Sequence, residues 1–275
     1  MNWSQAKTWL ILLFAGVNIF LLCNIISIDM EASTVPAKTL EQTAAILANN
    51  GITIDIKHVP AHIDSLDAIE VTNNIVQPQS IAELLLGSDY QTTNDSVYRK
   101  DTKRLNFLGD VIKYTDEKPS GQIYNLTADN AAEHAKQILS GLGFATSNAV
   151  VSSVEKTDEI YTIRMYQSVS GYPLFDSTFV IRLSADGIAY FEGSWFSVVS
   201  EASIFSNADK VKPATNALLE FVSDPVRISR GSSEITEIRL GFTTGEKNSY
   251  HKNVTALPTW RITAAGGDMY FYDAK

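Results

Sequence analysis

The stretch 159-EIYTIRMYQSVSGYPLFDSTFVIRLSADGIAYFEGSWF-196 decides the fold. It contains three runs rich in β-branched and aromatic residues, "EIYTIRMYQSV", "TFVIRLSADG" and "IAYFEGSWF", which are typical of strands. Between these runs, "VSGYP" and "SADG" supply residues that tight turns prefer. Another strand-like run, "VVSSVEK", stands just upstream. The stretch therefore predicts an antiparallel meander.

A helix is predicted directly before this meander, in "NLTADNAAEHAKQILSGLGF" (125–144). Thr127 is placed to cap it, and Ala131, Ala135, Ile138 and Leu142 recur at helical spacing as its buried face. Upstream, the predicted helices are "TLEQTAAILANNG" and "SIAELLLG", and the predicted strands are "ITIDIKHV", "SVYRK", "RLNFLG" and "DVIKYTDE". Downstream, "NADKVKPATNALLEFVS" predicts a helix, and "EITEIRLGFTTG" and "LPTWRITAAGGDMYFYD" predict strands.

These patterns predict an α+β fold in which helices pack on one face of antiparallel sheets. The helix-plus-sheet order returns about every 80 residues, which is typical of divergent structural repeats. The predicted units are 39–120, 121–200 and 201–275.

The chain begins with a long apolar run, "MNWSQAKTWLILLFAGVNIFLLCNIISID" (1–29). Trp9 to Ile28 carries no charge, and about 20 such residues span the roughly 30 Å hydrocarbon core as a helix. The run is longer than a secretory signal and lacks an Ala-x-Ala cleavage pattern, so we expect it to be retained. Cys23 follows Leu22 rather than a small residue, which favours an ordinary apolar residue over a lipidation site.

The charges that flank this run predict its orientation. Lys7 precedes it, while Asp29 and Glu31 follow it, and cytoplasmic flanks favour lysine and arginine. We therefore expect a single-pass protein of the cell membrane with a cytoplasmic N-terminus (1–8), a transmembrane helix (9–28), a linker (29–38) and an extracellular C-terminal region.

The predicted span also suggests a contact face for another membrane helix. Small and polar residues in a span let helices approach closely or share hydrogen bonds. The candidate partner-binding residues are Gly16, Asn18, Phe20, Cys23, Asn24 and Ser27. The alternative is a generic anchor that tolerates two asparagines, since insertion scales penalise such residues only modestly.

Composition and motifs argue against several functions. The net charge is -9 and the pI about 4.9, so the chain lacks the basic footprint of a nucleic-acid binder. The one cysteine lies in the predicted span, which leaves no internal disulfide. Neither a Gly-x-Ser-x-Gly elbow nor a phosphate loop is present, and Pro60 interrupts His58 and His62. We predict no catalytic residue, metal site or cofactor, and therefore no enzyme.

Aromatic residues are the remaining signal along the meander. Most should pack in the core and across strands, and the alternative is an exposed binding groove among them. They are Tyr161, Tyr166, Tyr172, Phe175, Phe179, Tyr190, Phe191, Trp195 and Phe196.

Two segments carry a resemblance to a known family. The start Trp3-Ser4-x-x-Lys7-Thr8, which runs into one anchor helix, resembles the opening of the YycI family of Gram-positive bacterial membrane proteins. "GYPLFDSTFVIRLSADGIAYFEGSWF" (171–196) is similar to that family's aromatic turn followed by two strands.

The resemblance implies a regulator without a catalytic motif. YycI-like proteins sit in the membrane with a sister protein, YycH, and restrain the sensor histidine kinase YycG (WalK), which with the response regulator YycF (WalR) controls cell-wall metabolism. Their exported regions look like PepSY modules. The implied partners are thus YycG, YycH and the membrane, with no nucleic acid. The alternative is a tethered extracellular binding or inhibitor module that recognises a wall-derived ligand or protein.

Overall fold

The computed structural model of this 275-residue chain describes residues 7, 9, 11–22, 33–73, 78–94, 96–199, 209–245 and 253–275. The helices are α1 (11–22), α2 (Ala37–Asn49), α3 (Pro78–Leu86), α4 (Ala131–Gly141), α5 (Ala214–Ser223) and α6 (Pro225–Arg230). The strands are β1 (Thr53–Ile54), β2 (Ile69–Asn73), β3 (Gln91–Asn94), β4 (Val97–Lys100), β5 (Lys103–Leu108), β6 (Val111–Asp116), β7 (Ala149–Thr157), β8 (Ile160–Val169), β9 (Tyr172–Ser184), β10 (Gly187–Gly193), β11 (Phe196–Val198), β12 (Glu234–Thr243), β13 (Asn253–Ala264) and β14 (Met269–Asp273).

The described residues divide into two compact units whose segments interleave in sequence. Unit one takes its residues from Met1–Ser65, Lys210–Arg239 and Arg261–Ala274, and unit two from Leu66–Asp209, Leu240–Trp260 and Lys275. This division differs from the three consecutive units expected at 39–120, 121–200 and 201–275. Strand pairing joins residues that are distant in sequence, so local spacing does not reveal it.

Unit one is built around α2 and α5, which pack against each other. β1 pairs in parallel with the start of β12, Thr53 standing opposite Glu234. Phe221 of α5 meets Tyr270 of β14 edge to face, with ring centroids 5.2 Å apart. Asp224 begins α6, and its carboxylate accepts a 2.7 Å bond from the Val226 amide and another of 2.7 Å from the Tyr272 hydroxyl.

Unit two contains an eight-stranded antiparallel sheet in the order β3-β4-β5-β6-β10-β9-β8-β7. β6 pairs with β10, so the predicted strands before and after α4 join in one sheet. The same unit holds β11, β2 and the first half of β13 as a second antiparallel group. At Phe242, β12 pairs in parallel with Leu174 of β9, an arrangement that a simple meander does not contain.

Both helices of unit two lie on one face of the eight-stranded sheet, as the α+β prediction requires. α3 packs on β4 and β5, and α4 packs on β7, β8 and β9. Apolar residues at alternate positions fill this helix-covered face because successive strand residues point to opposite sides. Buried residues opposite one another across the strands include Leu105, Tyr114, Phe191, Ile181 and Ile163.

Two local predictions are wrong. The run "ITIDIKHV" forms a strand only at Thr53–Ile54, because the Asp55 carboxylate accepts the Lys57 amide at 3.0 Å and starts the 3-10 helix Ile56–His58. The run "IAYFEGSWF" stops as a strand at Gly193, and Phe196 belongs to β11.

Candidate functional site

The predicted contact residues of the membrane segment lie only partly within the described chain. Gly16, Asn18 and Phe20 belong to α1, whereas Cys23, Asn24 and Ser27 lie outside the described residues. The Asn18 side-chain amide donates to the Phe14 carbonyl at 2.9 Å, so it bonds within its own helix. A Cβ added at Gly16 would meet nothing within 4 Å.

Among the described residues, no helix combines the length and the apolar character needed to cross a membrane. The span at 9–28 and its contact face stay predictions.

The nine aromatic residues of the meander fall into two groups. Five are buried, which confirms core packing for them: Tyr161, Phe179, Phe191, Trp195 and Phe196. Four are half-buried: Tyr166, Tyr172, Phe175 and Tyr190. Tyr166 and Tyr190 alternate with core residues on β8 and β10, so they stand on the side of the sheet opposite the helices.

We call this second side of the eight-stranded sheet the open face. Strand register places side chains directly opposite one another across all eight strands in what we call the arginine row. Its members, from β3 to β7, are Gln91, Arg99, Arg104, Thr115, Tyr190, Arg182, Thr162 and Glu155. The neighbouring row carries Asn106, Lys113, Glu192, Val180, Arg164 and Ser153.

Tyr190 is the centre of a polar cluster on the open face. The Arg182 guanidinium lies 5.0 Å from the centroid of its ring and the Lys113 ammonium 5.5 Å from it, both in cation–π geometry. The Tyr190 hydroxyl donates to the Glu192 carboxylate, which also accepts from Lys113 Nζ at 2.9 Å. These contacts hold the four side chains on the surface in one arrangement.

The same contacts shift the ionisation of the cluster. Hydrogen bonds from Tyr190 and then from Lys113 hold the pKa of the Glu192 carboxyl below its usual range. The bond to Glu192 raises the pKa of the Lys113 ammonium. Partial burial, followed by the bond to Glu192, raises the pKa of the Tyr190 hydroxyl. Lys113 and Glu192 are therefore a charged pair at neutral pH.

Charges on the open face are unbalanced. Its two carboxylates already have cationic neighbours, since Glu192 contacts Lys113 and Glu155 lies 3.8 Å from Arg164. Within the described part of the chain, no carboxylate oxygen lies within 4 Å of the guanidinium nitrogens of Arg99, Arg104 or Arg182. All three side chains are exposed. The open face thus carries a positive surplus on a chain whose net charge is -9.

A buried polar cluster joins the end of β8 to β9 and β11. Its centre is the side chain of Gln167. The Gln167 side chain donates to the Phe196 carbonyl at 2.7 Å and accepts from the Phe196 amide at 2.9 Å. Its oxygen also accepts from the Ser177 hydroxyl. Residues 175–177 bulge out of β9 here, because Gln167 pairs with Leu174 and its neighbour Tyr166 with Thr178. Gln167 thus satisfies the Phe196 backbone groups and the Ser177 hydroxyl, all of which are buried beside this bulge.

No metal or catalytic role was predicted for the four histidines, three of which lie among the described residues. His62 Nε2 lies 3.7 Å from the Asp64 carboxylate, His58 ends a 3-10 helix, and His134 is on α4. His251 lies outside the described residues. Within the described ranges, no group of three or more histidine, cysteine, aspartate or glutamate side chains is placed to hold a metal ion.

The arginine row was not found from the sequence. All of its strands except β3 were predicted, but which residues stand opposite one another depends on register between segments far apart in the chain. The row places cations, hydroxyl groups and an aromatic ring side by side on one surface, where they could contact a ligand.

The fold defines the class as an α+β protein in which helices α3 and α4 pack on one face of an eight-stranded sheet. The sequence profile of the YycI protein family matches residues 31–273, and the chain therefore belongs to the YycI family. A comparison with curated protein sequences found no match.

Two solved structures are similar over most of their length. An uncharacterized protein from Eubacterium rectale ATCC 33656 gives a TM-score of 0.49 at 12% identity, over 79% of this chain and 86% of that one. The YpeB C-terminal domain of Bacillus megaterium gives 0.29 at 11% identity, over 88% of this chain and 94% of that one. Both TM-scores are below 0.5, so neither likeness supports an argument on fold or function.

Proposed function

We propose that this chain is a non-enzymatic, membrane-anchored regulator that acts with YycH on the sensor histidine kinase YycG (WalK), which controls cell-wall metabolism. The observation that carries the proposal is the family match across residues 31–273. The N-terminal segment is proposed to cross the cell membrane once, with its N-terminus in the cytoplasm and the α+β region outside.

The open face supports a role in protein contact. Arginine and tyrosine are enriched at protein interfaces, where they dominate binding energy. Both residue types lie side by side on this face, held by the contacts of Arg182 and Lys113 to the Tyr190 ring. A regulator that works by assembly needs such a surface and needs no reacting group.

Deletion of the gene tests the regulatory role. Transcription of genes under the response regulator YycF (WalR) should rise or lose its normal response to cell-wall stress, and a plasmid copy of the full chain should restore it. Unchanged transcription under every wall stress would sink the proposal.

Exchange of residues 9–28 for an unrelated transmembrane helix tests the predicted anchor separately. Loss of control over the kinase, with the protein still in the membrane, would assign the contact to the helix. In that case Gly16→Leu and Asn18→Leu should each weaken co-purification with the kinase. Full control after the exchange would favour the tethered binding module, for which the helix is only an anchor.

A further inference from the structure

We propose that the arginine row of the open face docks an acidic surface of a protein partner, with Arg99, Arg104 and Arg182 binding its carboxylates. This inference rests on the proposed function and deepens it, because it names the face through which the α+β region would bind. The partner's chemistry follows from charge, geometry and composition.

Charge selects an anionic partner. The carboxylates of the two rows are engaged by Lys113 and Arg164, at 2.9 Å and 3.8 Å, whereas the three arginines of the row have no such partner among the described residues. A local positive surface on a chain of net charge -9 would repel basic proteins and attract acidic ones.

Geometry favours carboxylates as the groups bound. A guanidinium presents paired N–H groups in a planar fork that matches a carboxylate, whereas a lysine is a point charge. Arg104 uses only Nε for its 3.1 Å bond to Asn106 Oδ1, so its terminal fork is left for a ligand. Arg182 lies over the Tyr190 ring, which limits its rotamers before a partner binds.

Composition and size favour a protein over a phosphate polymer or a lipid surface. Half-buried Tyr166, Tyr190 and Val180 and the exposed Leu108 lie among the cations on this face. A purely electrostatic ligand would gain nothing from them, whereas protein interfaces combine aromatic, aliphatic and arginine contacts. Seven strand spacings of about 4.8 Å make the row about 34 Å long. That length suits a standard interface of about 800 Å² on each partner.

The test uses the full-length protein in detergent and purified YycH as the probe. The triple variant R99Q/R104Q/R182Q removes the three charges and keeps side chains of similar length. Its matched control, K38Q/K57Q/K118Q, removes three charges from exposed lysines of α2, the 3-10 helix and the turn after β6. We expect the arginine variant to bind YycH at least about tenfold more weakly and the control to bind within about twofold of wild type.

Salt and a conservative variant sharpen the test. Raising NaCl from roughly 0.1 M to roughly 0.5 M should weaken the wild-type complex much more than the arginine variant's. R99K/R104K/R182K should bind more weakly than wild type, because lysine keeps the charge and loses the fork. Wild-type affinity in this variant would overturn carboxylate recognition.

The remaining outcomes separate this inference from the proposed function. If wild type and the arginine variant bind YycH equally, the inference is wrong and the proposed function stands. If wild type does not bind YycH at all, both are overturned. Vesicles of phosphatidylglycerol and phosphatidylcholine give the last comparison. Loss of vesicle binding by the arginine variant, with unchanged binding to YycH, would assign the row to the membrane surface instead.

Discussion

Two adjacent rows of the same eight-stranded sheet have opposite character. The core row contains Leu105, Tyr114, Phe191, Ile181 and Ile163, and the arginine row contains Arg104, Thr115, Tyr190, Arg182 and Thr162. On each strand the two members are neighbours in sequence. Residues one position apart on a strand therefore face either the interior of the unit or the open face, and a register slip of one residue would exchange them.

One set of strand pairings therefore builds both the buried core and the exposed open face. The core row supplies stability through buried apolar area, and helices α3 and α4 cover it. The open face adds little stability, since exposed ion pairs contribute only about 0–1 kcal/mol each. Substitutions on the two faces should therefore separate stability from binding.

The largest expected loss of stability comes from truncating the buried side chain of Phe179 on the helix-covered face of the sheet. Its side chain is fully buried and contacts the rings of Phe144, Phe191 and Trp195, with centroids 5.3 to 6.1 Å apart. Phe179→Ala should lower the free energy of unfolding by about 4 kcal/mol, because it leaves a cavity. Urea denaturation followed by tryptophan fluorescence measures this loss.

Val180, the next residue, is the matched control for Phe179 because its side chain lies on the open face. Val180→Ala should change the free energy of unfolding by about 0.5 kcal/mol. Equal losses for the two variants would contradict the assignment of faces.

A somewhat smaller loss is expected from Gly193→Ala, at the end of β10. A Cβ at this position would lie 1.9 Å from the Thr178 carbonyl oxygen and 2.7 Å from the Phe179 ring. Both strands would have to separate, which should lower the free energy of unfolding by about 3 kcal/mol. Gly141→Ala is the control, since a Cβ there meets nothing within 4 Å. Differential scanning calorimetry should show a large fall in Tm for the first variant only.

Gln167→Leu should destabilise the bulge next to this glycine. The substitution leaves the Phe196 amide and carbonyl and the Ser177 hydroxyl buried without the partner they have now. We expect a loss of about 2 kcal/mol, the typical effect of leaving buried polar groups unsatisfied. Gln137→Leu on the exposed side of α4 should leave the urea midpoint unchanged. A Gln167 variant as stable as wild type would show that these hydrogen bonds add nothing to the stability of the bulge.

The contrast between the rows also explains what the sequence could predict. Strands β4 to β9 and helix α4 follow from local patterns of alternation, turn residues and 3.6-residue spacing. The end of β10 does not, because it depends on the close approach of Gly193 to Thr178 from another strand. Helix α6 was missed because no helix was predicted after the run "NADKVKPATNALLEFVS", although Asp224 can cap a new helix and proline favours its first turn.

The candidate site was predictable only in part for a related reason. Alternation shows that Tyr190 and Phe191 point to opposite faces, and burial of Phe191 confirms its predicted place in the core. The position of Tyr190 opposite Arg182 depends on a bulge in β10 between Ile188 and Tyr190. The sequences of β9 and β10 contain no pattern that predicts this bulge, so the residues of the arginine row could not be aligned from the sequence.

The smallest predicted effect is the pH dependence of the Glu192–Lys113 pair on the open face. Hydrogen bonds from Tyr190 and Lys113 lower the pKa of Glu192 in the folded protein below its usual value of 4.5. The ionised carboxylate therefore stabilises the folded protein at pH values above the pKa that Glu192 has in the unfolded chain. This stabilisation is lost as the pH falls through its pKa in the folded protein. Since the Glu192 side chain is 37% exposed, solvent screens its attraction to Lys113. The pair should therefore stabilise the fold by about 1 kcal/mol or less.

A double-mutant cycle with Glu192→Gln and Lys113→Met isolates this coupling. Urea denaturation of the four proteins at neutral pH should give a small favourable coupling energy, and the same cycle at about pH 3 should give a smaller one, because a larger fraction of Glu192 is protonated at the lower pH. The Phe179→Ala loss should persist at both pH values, since it comes from a cavity and not from charge. A coupling energy that stays constant as the pH falls would mean that Lys113 is held by packing of its stem over the Tyr190 ring. It would contradict the claim that charge stabilises this pair on the open face.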